Sequence, residues 1–149
     1  MPCDRLGHVK RFYDMVCHMK EAVGGARRFS ECTAAMDWPP RGVYFIQQPG
    51  EIRKATGEGS RIVRVGTHAL KPGSRATLWD RLRQHKGNPL DGGGNHRGSI
   101  FRSLVGNAVI NSEGVPYPTW GQGNTAERKV RESERPFERA VSALIGEMT

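Results

Sequence analysis

The chain has no apolar run approaching the 18 or more residues that a membrane span needs, and its N-terminus lacks the apolar core of a signal peptide. Cysteine is scarce. Cys3, Cys17 and Cys32 are odd in number and lack metal-site spacing, so free thiols in a reducing cytoplasm are expected rather than disulfides. There is no internal repeat, no phosphate-binding P-loop, no Ser/His/Asp order and no cysteine in a nucleophile context. His96 has no Cys or His partners at zinc spacing. Apolar residues make up only 36% of 149. That length suits one domain, with a compact core beneath a wide, wet surface.

Positive charge is what the chain has in excess, +8 in all, and it is unevenly placed. Residues 1–40 carry six Lys/Arg against five Asp/Glu, residues 41–110 twelve against four, and residues 111–149 five against six. The excess sits in the middle segment. Such a field attracts polyanions with salt-sensitive binding, although a merely soluble surface is the plainer alternative.

Two β-type runs open that segment. Val43, Phe45, Ile62, Val63 and Val65 suit a half-buried pleated surface, and the loop 49–60 holds Pro49, Gly50, Gly57 and Gly59. An antiparallel hairpin with a long loop is expected. Tyr44 and Arg64 can then share a face, with Gly66 ending the second strand and His68 at its edge.

Before the hairpin, Asp4 to Val23 predicts an amphipathic helix with Asp4 as N-cap and Gly24-Gly25 as its stop. Its stripe of Leu6, Val9, Phe12, Tyr13, Val16, Met19 and Val23 is expected to cover one face of the sheet. Residues 26–40 read as irregular, and Trp38-Pro39-Pro40 as an extended entry to the first strand.

After it, Lys71-Pro72-Gly73-Ser74 reads as a turn. A helix follows from Ser74 or Thr77 to about Lys86, burying Leu78, Trp79 and Leu82. Arg81 and His85 stand one turn apart at the border of that stripe. There an Arg can grip phosphate and a His can exchange a proton, or the two are simply a surface Arg beside a half-buried His. Gly87 to Asn95 reads as a flexible, glycine-rich loop. Asn95, His96, Arg97 and the later Arg102 are candidate phosphate contacts, with Ser99 capping a helix on the stripe Ile100, Phe101, Leu104, Val105, Ala108 and Val109. Residues 111–135 read as a loop with a charged tail, and Trp120 either stacks on a base or pins the loop to the core. Pro136 to Met148 reads as a final helix.

Gly42-Val43-Tyr44, Arg64-Val65-Gly66, and Arg81 with His85 in Leu-Trp-Asp-Arg-Leu-Arg-Gln-His resemble the GIY-YIG nuclease superfamily over about residues 41–110. The resemblance implies an α+β fold: a small antiparallel sheet, the long-loop hairpin plus a third strand, flanked by helices. It implies residues 1–40 as an N-terminal helix and lead-in, and 41–149 as a nuclease domain, with a C-terminally truncated member as one reading. It further implies a DNA endonuclease that hydrolyses phosphodiesters with one divalent metal, usually Mg²⁺. Tyr44 would help deprotonate the attacking water, Arg81 would hold the scissile phosphate, and His85 matches a histidine of restriction-type members.

Two positions depart from the pattern. Arg64 replaces the tyrosine of the second motif and cannot accept a proton, which leaves phosphate binding to Arg64 and proton transfer to His68. No convincing third strand follows residue 110, and the metal-binding glutamate falls best on Glu138, which an ordinary helix start explains equally well. A non-catalytic nucleic-acid-binding protein of the same fold is the alternative reading.

Overall fold

Residues 42–68 build the element on which the others pack. In the computed structural model, which describes residues 4–68, 71 and 73–149, β1 (Gly42–Ile52) pairs antiparallel with β2 (Ser60–His68). Cys3, and Pro72 of the expected turn, lie outside the described residues. Tyr44 is opposite Gly66, Ile46 opposite Arg64 and Gly42 opposite His68, so these six share one face. Irregularities in register follow Ile46, and β1 continues through Pro49 into what the sequence suggested was loop. The described residues contain this two-stranded sheet and no third strand. At the open edge of β1, Gln47 instead exchanges backbone hydrogen bonds with Thr149, at 2.7 and 3.0 Å.

The two faces of the hairpin are covered unequally. α1 (Arg5–Ala22), capped by Asp4 as expected, lies against the Phe45 face. The Phe12 and Phe45 rings are 5.9 Å apart, the Tyr13 hydroxyl accepts from the Ile62 N–H at 3.3 Å, and the Arg53 guanidinium sits 4.1 Å over the Tyr13 ring. The expected cover is present but thin: no α1 residue is buried, and Leu6, Met15, Met19 and Val23 remain exposed.

Tyr44 and Ile46, on the other face, enter the main core with Leu78, Leu82, Phe101, Trp120, Phe137, Val141 and Ile145. α2 (Leu78–Lys86) starts at Thr77, whose side chain and that of Asp80 form a reciprocal capping box. α3 (Ile100–Glu113) starts at Ser99, again as expected. Its inward face is rotated from the predicted stripe, however. Ile100 and Leu104 are exposed, while Phe101, Arg102 and Gly106 are buried. Gly106 leaves room for the Trp120 indole, since a Cβ there would stand 2.2 Å from its ring. Trp120 is thus a core residue, stacked on His96 at 3.8 Å and donating to the Ser103 carbonyl.

α4 (Arg128–Gly146) begins eight residues before the predicted start and carries Pro136 in its interior. Its first two turns hold only Val130 as an apolar signal, so periodicity did not mark them. Buried ion pairs anchor this helix instead. Arg97 grips Glu134 through both terminal nitrogens at 2.6 and 2.9 Å. Arg102, fully enclosed, donates to both Glu138 Oε2 and the Glu138 carbonyl, and caps the carbonyls of His85 and Lys86 at the end of α2. His96 supplies its backbone N–H and its ring Nδ1 to Glu138 Oε1 at 2.6 and 2.9 Å. Burial pushes Glu138 up, but hydrogen bonds from His96 and the charge of Arg102 more than offset it and hold the carboxyl below its ordinary range.

The glycine-rich loop is packed rather than flexible. Asn88 and Gly93 exchange backbone hydrogen bonds, and Gly93, at φ 80°, lies so close to α4 that a Cβ would stand 2.5 Å from the Glu138 backbone. Arg102→Ala would strand a buried carboxylate and should cost about 3–5 kcal/mol, read as a lower urea midpoint; Arg102→Met with Glu138→Leu removes both charges and should recover part of that loss.

Candidate active site

Tyr44 projects from β1 toward α2 because its strand partner is Gly66. A Cβ at residue 66 would stand 2.1 Å from the Tyr44 Cζ, so the phenol lies across the glycine with no room for any other side chain. This explains why a glycine follows Val65. The Tyr44 hydroxyl meets His85 Nε2 at 2.7 Å, and His85 Nδ1 meets Ser99 Oγ at 2.7 Å. Ser99 Oγ also accepts from the Arg102 N–H at 3.3 Å. A phenol on β1, an imidazole on α2 and the cap of α3 therefore form one buried chain.

His85 is 0% exposed. Its pKa is lowered to about 3, first by burial and then by the positive charges of Arg81, Arg64, Arg102 and His68. The ring is neutral at physiological pH, with one N–H and one free nitrogen for its two hydroxyl partners.

The expected catalytic residues Tyr44, Arg64, His68, Arg81 and His85 thus gather around this ring. Tyr44 touches it and the other three act on it through charge. Arg81 is half-buried and donates to the Gln84 side chain at 2.9 Å. Arg64 Nε and His68 Nε2 are buried without a hydrogen-bond partner among the described residues. Ser99 is the member that sequence reasoning missed, because its role as a helix cap hid its contact with His85.

The expected nucleic-acid contacts do not gather there. Arg97 commits its guanidinium to Glu134 and to the carbonyls of Thr119 and Gln122, and Arg102 is sealed beneath α4. Neither is free to meet a phosphate, because buried glutamates claim both. His96 is likewise enclosed: its Nε2 accepts from the Gly121 N–H at 3.1 Å, so Nδ1 is the nitrogen that donates to Glu138. Asn95 remains exposed, its side-chain oxygen accepting from the Arg97 N–H.

Nor does Glu138 fit a metal. Both of its oxygens already accept charged or polar donors from His96 and Arg102, and the helix-start reading fails as well, because Glu138 lies in the middle of α4: the residue belongs to the buried ion network. Among the described residues no three His, Cys, Asp or Glu side chains come together as a cation site. Asp80, the carboxylate near His68, is spent on the Thr77 cap.

The lowered pKa of His85 fixes a sign. Between about pH 6.5 and pH 5 the unfolded chain takes up a proton at this ring that the folded chain refuses, so stability is full above that window and falls as pH drops through it, by about 1.4 kcal/mol per unit once the unfolded ring is charged. Urea titrations at pH 7.5 and 5 should show that loss, and His85→Asn should flatten it. Gly66→Ala should displace the Tyr44 ring and cost roughly 1–3 kcal/mol of stability, read from the same denaturation curves.

A comparison of the sequence with family models finds a match to the one described as the GIY-YIG domain over residues 3–149. No curated protein and no solved structure matches the chain. The hairpin that sets Tyr44 against Gly66, the histidine of α2 that meets the Tyr44 hydroxyl, and a family match that takes in the N-terminal helix lead to one conclusion: the chain belongs to the GIY-YIG domain family, a family of nucleases.

Proposed function

We propose that this chain is a DNA endonuclease whose reacting phosphodiester sits at the Tyr44–His85–Ser99 chain, between Arg64, Arg81 and His68. The contact between Tyr44 and the neutral His85 carries this reading. Tyr44 gives its proton to Nε2 as its oxygen takes one from the attacking water, while Nδ1–H holds the ring against Ser99. Arg81 and Arg64 stabilise the charge that develops on the phosphoryl oxygens. His68 is the second group able to move a proton, toward the leaving oxygen.

Substrate arms the site. Of the cations that depress His85, Arg81, Arg64 and His68 lie outside the Glu138 network and would grip a phosphate, and an anion placed among them screens the ring from their charge. The ring then becomes a better acceptor only when a phosphate is present.

GIY-YIG nucleases are generally dependent on a divalent metal. Such an ion, Mg²⁺ by expectation, would add positive charge at the phosphoryl oxygens, and Glu138 offers it no place. The described helices include none long and apolar enough to cross a membrane, and we place the activity in the cytoplasm, where Cys17 and Cys32 stay reduced.

Supercoiled plasmid incubated with Mg²⁺ and with EDTA tests the reading. Wild type should nick it, and both Tyr44→Phe and Arg81→Ala should lower the rate by about 100-fold or more at saturating DNA. Retardation of DNA by wild type without nicking under either condition would overturn the enzymatic reading and leave a nucleic-acid-binding protein.

A further inference from the structure

The segment 111–149 sums to nearly zero charge, yet its surface does not. Along α4 the basic residues are Arg128, Lys129, Arg131, Arg135 and Arg139, and the acidic ones are Glu132, Glu134 and Glu138. Glu134 and Glu138 are 3% exposed and are neutralised from below by Arg97 and Arg102, which come from outside α4. All five basic residues are exposed. What solvent meets on this helix is five cations and one carboxylate.

Arg128, Arg131, Arg135 and Arg139 are spaced by three, four and four residues, which aligns them along one helical stripe. Beside the stripe lies an open groove of about 510 Å³ between α4 and the glycine-rich loop, lined by Asp91, Gly92, Gly94, Arg131, Glu132 and Arg135 among others. Arg139 Nε is fixed to the Asp91 carbonyl at 2.7 Å, and Arg128 pairs with Glu132. Arg131 and Arg135 make no ion pair or side-chain hydrogen bond among the described residues. Like charges one turn apart destabilise a helix, and the two carboxylates between them in sequence are engaged elsewhere, Glu132 with Arg128 and Glu134 with Arg97.

We propose that this arginine ridge and its groove bind the sugar–phosphate backbone of double-stranded DNA, as a second contact surface that shares no residue with the Tyr44 site. The choice of DNA rests on the nuclease reading above. From Arg128 to Arg139 the helix rises about 16 Å, a length over which one strand of a duplex presents about five phosphates. The packed loop keeps the groove open, and glycines at its rim let a backbone come close. Contacts of this kind carry no base sequence, so the ridge adds affinity and orientation rather than target choice.

The test compares wild type with Arg131→Gln/Arg135→Gln in duplex binding across a salt series, beside Lys10→Gln/Lys20→Gln on α1 as an equal change of net charge. Losing two phosphate contacts should lower the slope of log affinity against log salt by about 1.8, so that the deficit of the ridge variant shrinks roughly twelvefold between 50 and 200 mM salt. The α1 variant should follow wild type, and thermal melting should show all three equally folded. At saturating DNA the ridge variant should nick plasmid at the wild-type rate with a raised KM. An unchanged salt slope, or an equal loss in the α1 variant, overturns the ridge. Wild type that binds but never nicks, with the slope change still present in the ridge variant, overturns the nuclease reading and leaves the ridge standing.

Discussion

The Glu138 carboxylate, held by Arg102 and His96, is the joint on which the helical half of the molecule depends. It brings together four pieces of chain that have little else in common: the end of α2, the turn at 96–98, the first turns of α3 and the middle of α4. Each ion would be costly alone in that interior, and each is fully partnered. The consequence reaches the candidate active site, because Ser99 and Arg102 lie on the same turn of α3. Arg102 fixes that turn from one side while Ser99 holds His85 from the other. An ion network with no free valence therefore sets the position of an imidazole that never touches it through a side chain.

The second constraint is steric. Tyr44 reaches His85 because the opposite strand carries a glycine at residue 66, and a hydroxyl on a strand can then lie over the sheet instead of standing away from it. Together the two constraints fix both ends of the Tyr44–His85–Ser99 chain to different elements. Geometry so over-determined suits proton movement, which fails once donor and acceptor drift beyond hydrogen-bond reach.

The meeting of Tyr44 with His85, 41 positions apart, was expected from the family resemblance, whereas the hairpin and the caps at Asp4, Thr77 and Ser99 were legible because they rest on local rules: alternation and cap chemistry. The early turns of α4 were not, since their stabilising contacts are long-range salt bridges that leave no apolar period. Arg97, Arg102 and Glu138 misled for the same reason. A charged residue in sequence looks available for phosphate or metal, and only a fold shows that its partner is another charged residue some 36 or 37 positions away. The rotated face of α3 follows from this too, since Arg102 turns inward to meet Glu138 and takes the helix with it.

Charge counted along a chain is a poor guide to charge seen by a ligand. In the middle segment the count overstates the free cations, because Arg97 and Arg102 are buried and neutralised. In the last segment it understates them, because the glutamates that balance the sum are the partners of those two arginines. Correcting both shifts positive potential from the 97–102 turn to the outer surface of α4 and leaves Arg64 and Arg81 as the cations beside the neutral His85. A polyanion would then meet two basic regions with different chemistry. At one, the cations surround groups that can move protons; at the other they stand on a rigid helix with nothing to react. Substrate held at the second would be kept close to the first, which raises affinity and lowers KM while the rate at saturation stays with the groups around His85.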